Sequence, residues 1–237
     1  FVLKGGVLLA AFDERRPTRD VDLAGLQLDN AIDNVTELII EIASIDLDDG
    51  LAIATDQASA EVIREESAGY AGVRISLPAT LASARVSFHV DVNVGDPIEP
   101  APETTPVPRI LGGTIDVLGY SVEMVIAEKL VTAVQRGTAN TRWRDFADVY
   151  LLAQRHVLVG TGLQHAIREV ATFRGVPRSP MVRILAGFAE IGQSRWAVWR
   201  RNQGLDARLP EQLADVVTLV TRLADPVVLQ EAGEYCW

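Results

Sequence analysis

The chain has 237 residues, 48% of them hydrophobic, which is enough to bury one large core or two modest ones. No stretch approaches the roughly 18 to 20 consecutive apolar residues that cross a bilayer, so we expect no membrane partner. The net charge of −10 argues at first sight against a polyanionic partner. The lone cysteine, Cys236, cannot form an internal disulfide, which favours a cytoplasmic location. Because the chain begins at Phe1 rather than methionine, we expect a native N-terminal segment to precede it.

Two glycines near the start, Gly5 and Gly6, precede a charged stretch that contains Asp20 and Asp22. Adjacent glycines let the backbone approach a ligand closely, and the amides they expose suit phosphate oxygens. Carboxylates two residues apart project from one face of a strand, while the hydrophobic residues beside them point to the core. Such a pair either shifts a pKa or binds a cation, and an all-oxygen site suits magnesium. A solvated acidic strand end is the simpler interpretation of the two aspartates alone.

Hydrophobic spacing and turn residues predict the remaining elements. In chain order they are a helix over 30–45, strands over 51–55 (continuing towards Ile63), 70–77 and 84–94, a proline-rich connector over 97–108, a strand over 114–118, and helices over 122–136, from about 145 to 151, 164–173, 181–190 and 211–223. The connector cannot be a helix or a central strand because it holds five prolines.

Strict alternation in the strand over 84–94 separates a core face from a polar face. Asp91 lies on the polar face in the middle of the strand, and His89 lies on the same face. Asp96 competes with Asp91 as a candidate ligand but belongs to the turn that ends the strand. His89 is either a metal ligand or a hydrogen-bonded, partly buried histidine, and magnesium prefers oxygen to imidazole.

The helix over 122–136, which Ser121 is expected to cap, has Lys129 inside its apolar stripe. A lysine there is either a cation aimed at the phosphates of a nucleotide or a side chain that reaches from the core edge to water. In the next helix, Asp145 and Asp148 are three residues apart and share a face. Acidic residues in a first turn also simply favour the helix dipole.

The basic residues are concentrated in the second half of the chain. Between Lys129 and Arg208 there are 13 Lys and Arg against 5 Asp and Glu, a net of +8, which leaves −18 for the rest. Clustered basic residues favour polyanion binding, although arginines scattered over solvated helix faces would give the same count. Trp196 and Trp199, beside several arginines, either stack on bases or pack in a core.

The order of Gly-Gly, a gap and Asp-apolar-Asp-apolar resembles the signature of the polymerase-beta-like nucleotidyltransferase superfamily. The resemblance implies that Asp20 and Asp22 hold the two metal ions of a nucleotidyl transfer. It also implies a third carboxylate on a neighbouring strand, for which Asp91 is the candidate. In much of that superfamily the second glycine is a phosphate-binding serine, and here Gly6 has no side chain for that role.

A second resemblance covers Ala127 to Leu130, Arg136 and Arg144 to Tyr150, which look like the helical block of the AbiEii family. These proteins are nucleotidyltransferase toxins of bacterial toxin-antitoxin and phage-abortive systems, with MenT-type toxins among them. Together with the N-terminal motif and the strand that holds Asp91, the likeness spans roughly the first 150 residues. The resemblance implies that the catalytic residues are Asp20, Asp22, Lys129 and Asp145. It also implies that the nucleotide is bound by Lys4, Gly5, Gly6, Arg16, Thr18 and Lys129.

We therefore predict an α+β fold in which residues 1–118 form a polymerase-beta-like nucleotidyltransferase core, a mixed sheet with flanking helices. Residues 119–237 are predicted to form a helical, arginine-rich domain that completes the active-site cleft. The predicted reaction transfers a nucleoside monophosphate from an NTP to an acceptor hydroxyl with two Mg²⁺ ions. The preferred acceptor is the 3′ end of tRNA, whose modification would block translation, and a cognate antitoxin protein is expected. The alternatives are a protein or small-molecule acceptor, or an inactive nucleotide-binding partner of an antitoxin.

Overall fold

The computed structural model describes residues 1–28, 31–64, 71–177 and 179–228. The chain divides into two compact units, each with its own core. The first unit comprises 1–96 and 102–120, and the second comprises 97–101 and the described residues from Ser121 onward. Within the described part, none of the helices is both long and apolar enough to cross a membrane.

The first unit is built on a mixed sheet of eight strands. Its elements are β1 (Val2–Lys4), α1 (Gly5–Leu8), β2 (Asp20–Gly25), α2 (Ile32–Ala43), β3 (Leu51–Ile53), β4 (Ser59–Arg64), β5 (Ala71–Leu81), β6 (Ala84–Val94), β7 (Glu103–Pro108) and β8 (Thr114–Gly119). The strand order is β3-β5-β6-β2-β1-β8-β7, and β4 pairs with β5 beside β3. The pairs β2–β6 and β1–β8 are parallel, and the other pairs are antiparallel.

One face of this sheet is apolar because the strands alternate as the sequence predicts. Val35 and Ile39 of α2 pack against buried side chains of β5 and β6, including Ile75 and Val92. The hydrophobic residues of β2 that flank its aspartates pack against the same cluster. Alternation therefore leaves the charged side chains of β2, β5 and β6 together on the opposite face.

Most predicted elements of the first unit are confirmed, with differences at turns. The strand over 84–94 has its predicted bounds, and the helix over 30–45 is α2, although Asn30 lies outside the described residues. The predicted strand from 51 towards 63 is broken by a 3₁₀ turn at Thr55–Gln57. The strand over 70–77 extends to Leu81, and Tyr70 lies outside the described residues.

The proline-rich connector is partly a strand. Residues Glu103–Pro108 form β7, which pairs with β8 and ends the strand order. Proline removes a ladder donor, so it is tolerated at an edge where one side of the strand has no partner. The exclusion of a central strand was therefore correct, whereas the assignment of the whole segment as a connector was wrong.

The second unit is helical in its described residues. Its helices are α3 (Val122–Arg136), α4 (Trp143–Arg155), α5 (Gly160–Phe173), α6 (Met181–Ile184), α7 (Phe188–Asn202) and α8 (Leu213–Val228). Helix α3 has its predicted bounds, and the Ser121 hydroxyl caps it by accepting a hydrogen bond from the Met124 amide at 3.2 Å. Phe188 stacks on both Trp143 and Phe146 in the core.

One predicted helix in this unit is wrong. The single helix over 181–190 is instead the short α6 followed by α7, because Gly187 adopts φ +78° and breaks the helical path. Core packing, one of the two roles predicted for Trp196, is confirmed, since its side chain is fully buried and its indole nitrogen donates to the Pro210 carbonyl. Its stacking partner is Trp199, at 5.4 Å between ring centroids.

Candidate functional site

The acidic pair lies at the start of β2, where the loop before the strand holds it. The Asp20 amide donates to the Thr18 hydroxyl at 3.3 Å, and the same hydroxyl lies 3.2 Å from the Asp20 carbonyl. Because side chains alternate along β2, Asp20 and Asp22 leave the strand on one face, as the sequence predicts. Thr18 contacts the backbone that positions Asp20.

A row of charged side chains crosses five strands of the sheet at the level of Asp22. In register, Lys4 of β1 is opposite Asp22, Asp22 is opposite Asp91 of β6, Asp91 is opposite Arg74 of β5, and Arg74 is opposite Glu61 of β4. Directly paired residues present their side chains on the same face. The row thus places two adjacent carboxylates between two cations.

A second, polar row lies one step along the strands. Asp20 is opposite His89, and His89 is opposite Ser76. The Ser76 hydroxyl and the His89 Nδ1 atom are 2.9 Å apart. The hydrogen-bonded interpretation of His89 agrees with this contact, and the register brings His89 beside Asp20.

Both glycines lie against the carboxylate of Asp22. Gly5 has φ +63°, and a Cβ atom built on it would overlap that carboxylate. The Gly6 amide donates a backbone hydrogen bond to Asp22. A Cβ on Gly6 would lie 3.1 Å from the Thr18 hydroxyl and 3.3 Å from the Arg16 guanidinium. Arg16 and Thr18 therefore lie over the glycines, where a serine side chain would otherwise project.

Burial raises the pKa of Asp22, and Lys4 lowers it. The neighbouring charges of Asp91 and Asp20 raise that pKa, the Gly6 amide lowers it, and the net shift is upward. Three carboxylates are thus close enough to repel one another on a partly buried face. A bound cation would relieve that repulsion.

Lys4 has further contacts beside the row. Its ammonium group forms a buried ion pair with Asp96 at 3.4 Å and lies 5.6 Å from the centroid of the Tyr120 ring. Asp96, the alternative candidate to Asp91, therefore pairs with Lys4. Asp91 instead lies directly beside Asp22.

In the second unit, Lys129 is held by the two aspartates of α4. Its ammonium group lies 3.1 Å from Asp145 Oδ1 and 2.7 Å from Asp148 Oδ2. Arg142 donates from Nε to the second oxygen of Asp145 at 2.6 Å. Burial alone would raise the pKa of Asp145, but Lys129 and Arg142 outweigh it, and the pKa lies below its usual value. The apolar stripe of α3 accommodates Lys129 because this ion network neutralises it.

The carboxylate row suits a hard divalent cation in the chemistry of its donors. Among the described residues, however, no three or more His, Cys, Asp or Glu side chains are arranged as a ready metal cage. Both oxygens of Asp91 accept hydrogen bonds from Arg74. Magnesium commonly uses only one or two protein carboxylates, with water and substrate phosphates as its other ligands. Asp20 and Asp22 fit that mode of binding, and Asp91 can still contribute because each of its oxygens keeps a second lone pair while it accepts from Arg74.

Sequence reasoning missed Arg74, which completes the row. The signal was present, because Arg74 and Ser76 alternate with buried Val73, Ile75 and Leu77 on β5. What the sequence lacked was the register that places Arg74 opposite Asp91. The structure thus assembles Lys4, Gly5, Gly6, Arg16, Thr18, Asp20, Asp22 and Asp91 in the first unit, and Lys129 with Asp145 in the second.

One solved structure supports this fold. Over 97% of its length the chain superposes on 84% of the JHP933 chain from Helicobacter pylori, with a TM-score of 0.52 and 12% identity. Another H. pylori structure, described as a "putative nucleotidyltransferase", has a TM-score of 0.49 and 13% identity over 97% of this chain and 86% of its own. No curated protein matches the sequence. The family model "Nucleotidyl transferase AbiEii toxin, Type IV TA system" matches residues 1–218. The chain therefore belongs to the AbiEii family of nucleotidyltransferase toxins.

Proposed function

We propose that this nucleotidyltransferase transfers a nucleoside monophosphate from an NTP to the 3′ end of tRNA, at the carboxylate row of the first unit. The observation that supports the proposal most directly is the register of β2 and β6, which sets Asp91 beside Asp22 and two residues from Asp20. A carboxylate cluster flanked by cations suits a reaction in which a charged triphosphate meets a divalent cation.

Magnesium is the proposed cofactor, with two ions held by Asp20, Asp22 and Asp91. When bound, magnesium withdraws charge from the phosphates and favours ionisation of the attacking hydroxyl. The chain's own contribution is positional. Thr18 fixes the backbone of Asp20, and Gly6 donates its amide to Asp22. Both carboxylates are thereby set on one face before any substrate arrives.

In the proposed reaction the acceptor hydroxyl oxygen attacks the α-phosphorus of the NTP. The bond from that phosphorus to the bridging oxygen breaks, pyrophosphate leaves, and a base takes the hydroxyl proton. Lys4, opposite Asp22, and Arg16, beside Gly6, are the proposed phosphate-binding cations of the first unit. Lys129 and Asp145 stay predicted members of the catalytic set, and their mutual ion pair supports a shared role.

The tRNA acceptor rests on charge and on the resemblance to MenT-type toxins. The region from Lys129 to Arg208 has a net charge of +8, and many of its arginines are exposed, including Arg144, Arg195 and Arg201. Exposed cations clustered in one region favour the binding of a polyanion such as tRNA. Blocked translation, a cytoplasmic location and neutralisation by a cognate antitoxin are the corresponding expectations.

The first test is incubation of the protein with each α-labelled NTP, magnesium and total tRNA. We expect label on tRNA with the wild type and none with Asp20→Asn. Asp116→Asn is a matched control, because Asp116 is an exposed carboxylate on β8 of the same sheet. Label on protein rather than on tRNA would favour the protein acceptor. Absence of label on any acceptor would contradict the proposed reaction.

Two further measurements separate the alternatives. Binding of tRNA should weaken steeply as salt rises, whereas a small-molecule acceptor should show little dependence on salt. Expression of the wild type should inhibit growth, and Asp20→Asn should not. Growth inhibition by Asp20→Asn equal to that of the wild type would contradict a catalytic toxin and favour a non-catalytic partner of an antitoxin.

A further inference from the structure

Arg74 makes a two-point contact with the carboxylate of Asp91. Its Nε atom donates to Oδ1 at 2.8 Å and its Nη2 atom donates to Oδ2 at 2.7 Å. The Asp91 side chain is 14% exposed and that of Arg74 is 33% exposed. A planar guanidinium that binds both oxygens fixes the plane of the carboxylate as well as its position.

That contact matters because Asp91 lies beside another carboxylate. Asp22 is its register partner on β2, and Asp20 lies one step along the same strand. Like charges directly opposite each other on paired strands destabilise the arrangement. Without a fixed partner on its other side, the Asp91 side chain would rotate away from Asp22. Arg74, in register on β5, supplies that partner.

We propose that Arg74 is a positioning residue that holds Asp91 in its orientation beside Asp22 before a divalent cation and nucleotide bind. The inference rests on the proposed function, because it gives Asp91 the role of third carboxylate. Arg74 is not itself a catalytic residue. It acts through Asp91, so removing Arg74 should no longer weaken cation binding once Asp91 can no longer bind a cation.

Two physical effects of removing Arg74 oppose each other, and this makes the proposal testable. Loss of a nearby positive charge alone would strengthen the binding of a divalent cation. Loss of the fixed Asp91 orientation would weaken that binding. Supporting partners of metal-binding side chains typically change metal affinity by about 10- to 100-fold when removed, and we expect the positional effect to dominate.

The experiment measures Mn²⁺ binding by calorimetry, without nucleotide, for the wild type, Arg74→Gln, Arg74→Lys, Asp91→Asn and the double variant Arg74→Gln/Asp91→Asn. Arg85→Gln is the matched control, because Arg85 is an exposed arginine of β6 opposite Thr80. Thermal unfolding of each variant establishes that it is folded. Transfer of the nucleoside monophosphate (NMP) to tRNA is measured in parallel.

We expect Arg74→Gln to weaken Mn²⁺ binding by about tenfold or more. Arg74→Lys, which keeps the charge but loses the two-point contact, should fall between it and the wild type. In the Asp91→Asn background the Arg74 change should cause no further loss of Mn²⁺ binding, because the positional effect is gone and removal of the positive charge can only strengthen binding. Arg85→Gln should bind Mn²⁺ like the wild type. Mn²⁺ binding by Arg74→Gln that equals or exceeds the wild type would overturn the role of Arg74 alone. Failure of the wild type to bind Mn²⁺ would overturn the metal site on which that role rests.

Discussion

Replacement of Gly5 by alanine tests the geometry of the carboxylate row most directly. Gly5 has φ +63°, a conformation in which an L-residue brings its Cβ too close to its own carbonyl. The new Cβ would also overlap the Asp22 carboxylate and lie 2.7 Å from the Asp22 Cβ. The Asp22 side chain is short and its Cβ is fixed to a paired strand. A change of side-chain rotamer therefore cannot relieve the overlap with the Asp22 Cβ. The variant must displace either the backbone at residue 5 or Asp22.

The magnitude follows from two contributions. The left-handed backbone costs alanine about 1–2 kcal/mol. Displacement of Asp22 also breaks its hydrogen bond from the Gly6 amide, and a hydrogen bond to a charged group contributes about 1.5–3 kcal/mol. We therefore expect Gly5→Ala to lower the free energy of unfolding by about 3 kcal/mol or more, which an ordinary domain survives at 25 °C.

Gly175→Ala is the matched control. Gly175 has φ +62°, and an added Cβ would meet no atom within 4 Å. This variant isolates the backbone contribution, and we expect it to lose only about 1–2 kcal/mol. Urea unfolding of both variants, together with NMP transfer and Mn²⁺ binding, gives the comparison. Transfer should fall by more than about 100-fold in Gly5→Ala and stay near the wild-type rate in Gly175→Ala. Equal destabilisation of the two variants, or normal transfer by Gly5→Ala, would refute the close approach of Asp22.

Three further predictions concern the second unit. Ser121→Ala should lower the free energy of unfolding by about 1 kcal/mol, measured by urea unfolding, because α3 loses its N-cap. Lys129→Met should cost about 3–5 kcal/mol in the same assay, because it leaves Asp145 and Asp148 as buried charges with a lost partner. The contribution of Asp145 to stability should be present above its unfolded pKa of about 3.9 and be lost as pH falls through its lower folded pKa. Asp145→Asn should therefore flatten the pH dependence of unfolding below about pH 4, and an unchanged acid slope would contradict the ion network.

The sequence predicted what depends on local pattern. Alternation of side chains gave β6 its bounds and put Asp91 on the polar face, and apolar spacing with the Ser121 cap gave α3 its bounds. Which strands pair was not contained in that pattern. Only the register shows that Arg74 meets Asp91. The break at Gly187 was missed because a positive φ at one residue outweighs a continuous apolar stripe.

The glycine motif illustrates a different gap between pattern and structure. From sequence, adjacent glycines indicate a backbone that offers its amides to a phosphate. In the fold, the Gly6 amide donates to Asp22 and Gly5 makes room for the same carboxylate. The absence of a side chain is required in both interpretations, so composition alone could not separate them. Asp22, sixteen positions beyond Gly6, reaches the glycines because β1 and β2 pair, and a phosphate contact from the glycine backbone stays a prediction.

Charge totals also need the fold before they can be interpreted. In the second unit, Arg142 pairs with Asp145, Arg174 with Glu128, and Arg200 with Asp206. These cations neutralise carboxylates of their own unit, so their contribution to a distant polyanion is largely cancelled. The local excess that could attract tRNA must therefore come from exposed arginines such as Arg195 and Arg201, which lie on one helix, α7. Electrostatic attraction of an RNA acceptor consequently depends on particular exposed side chains and not on the net charge of −10 for the whole chain.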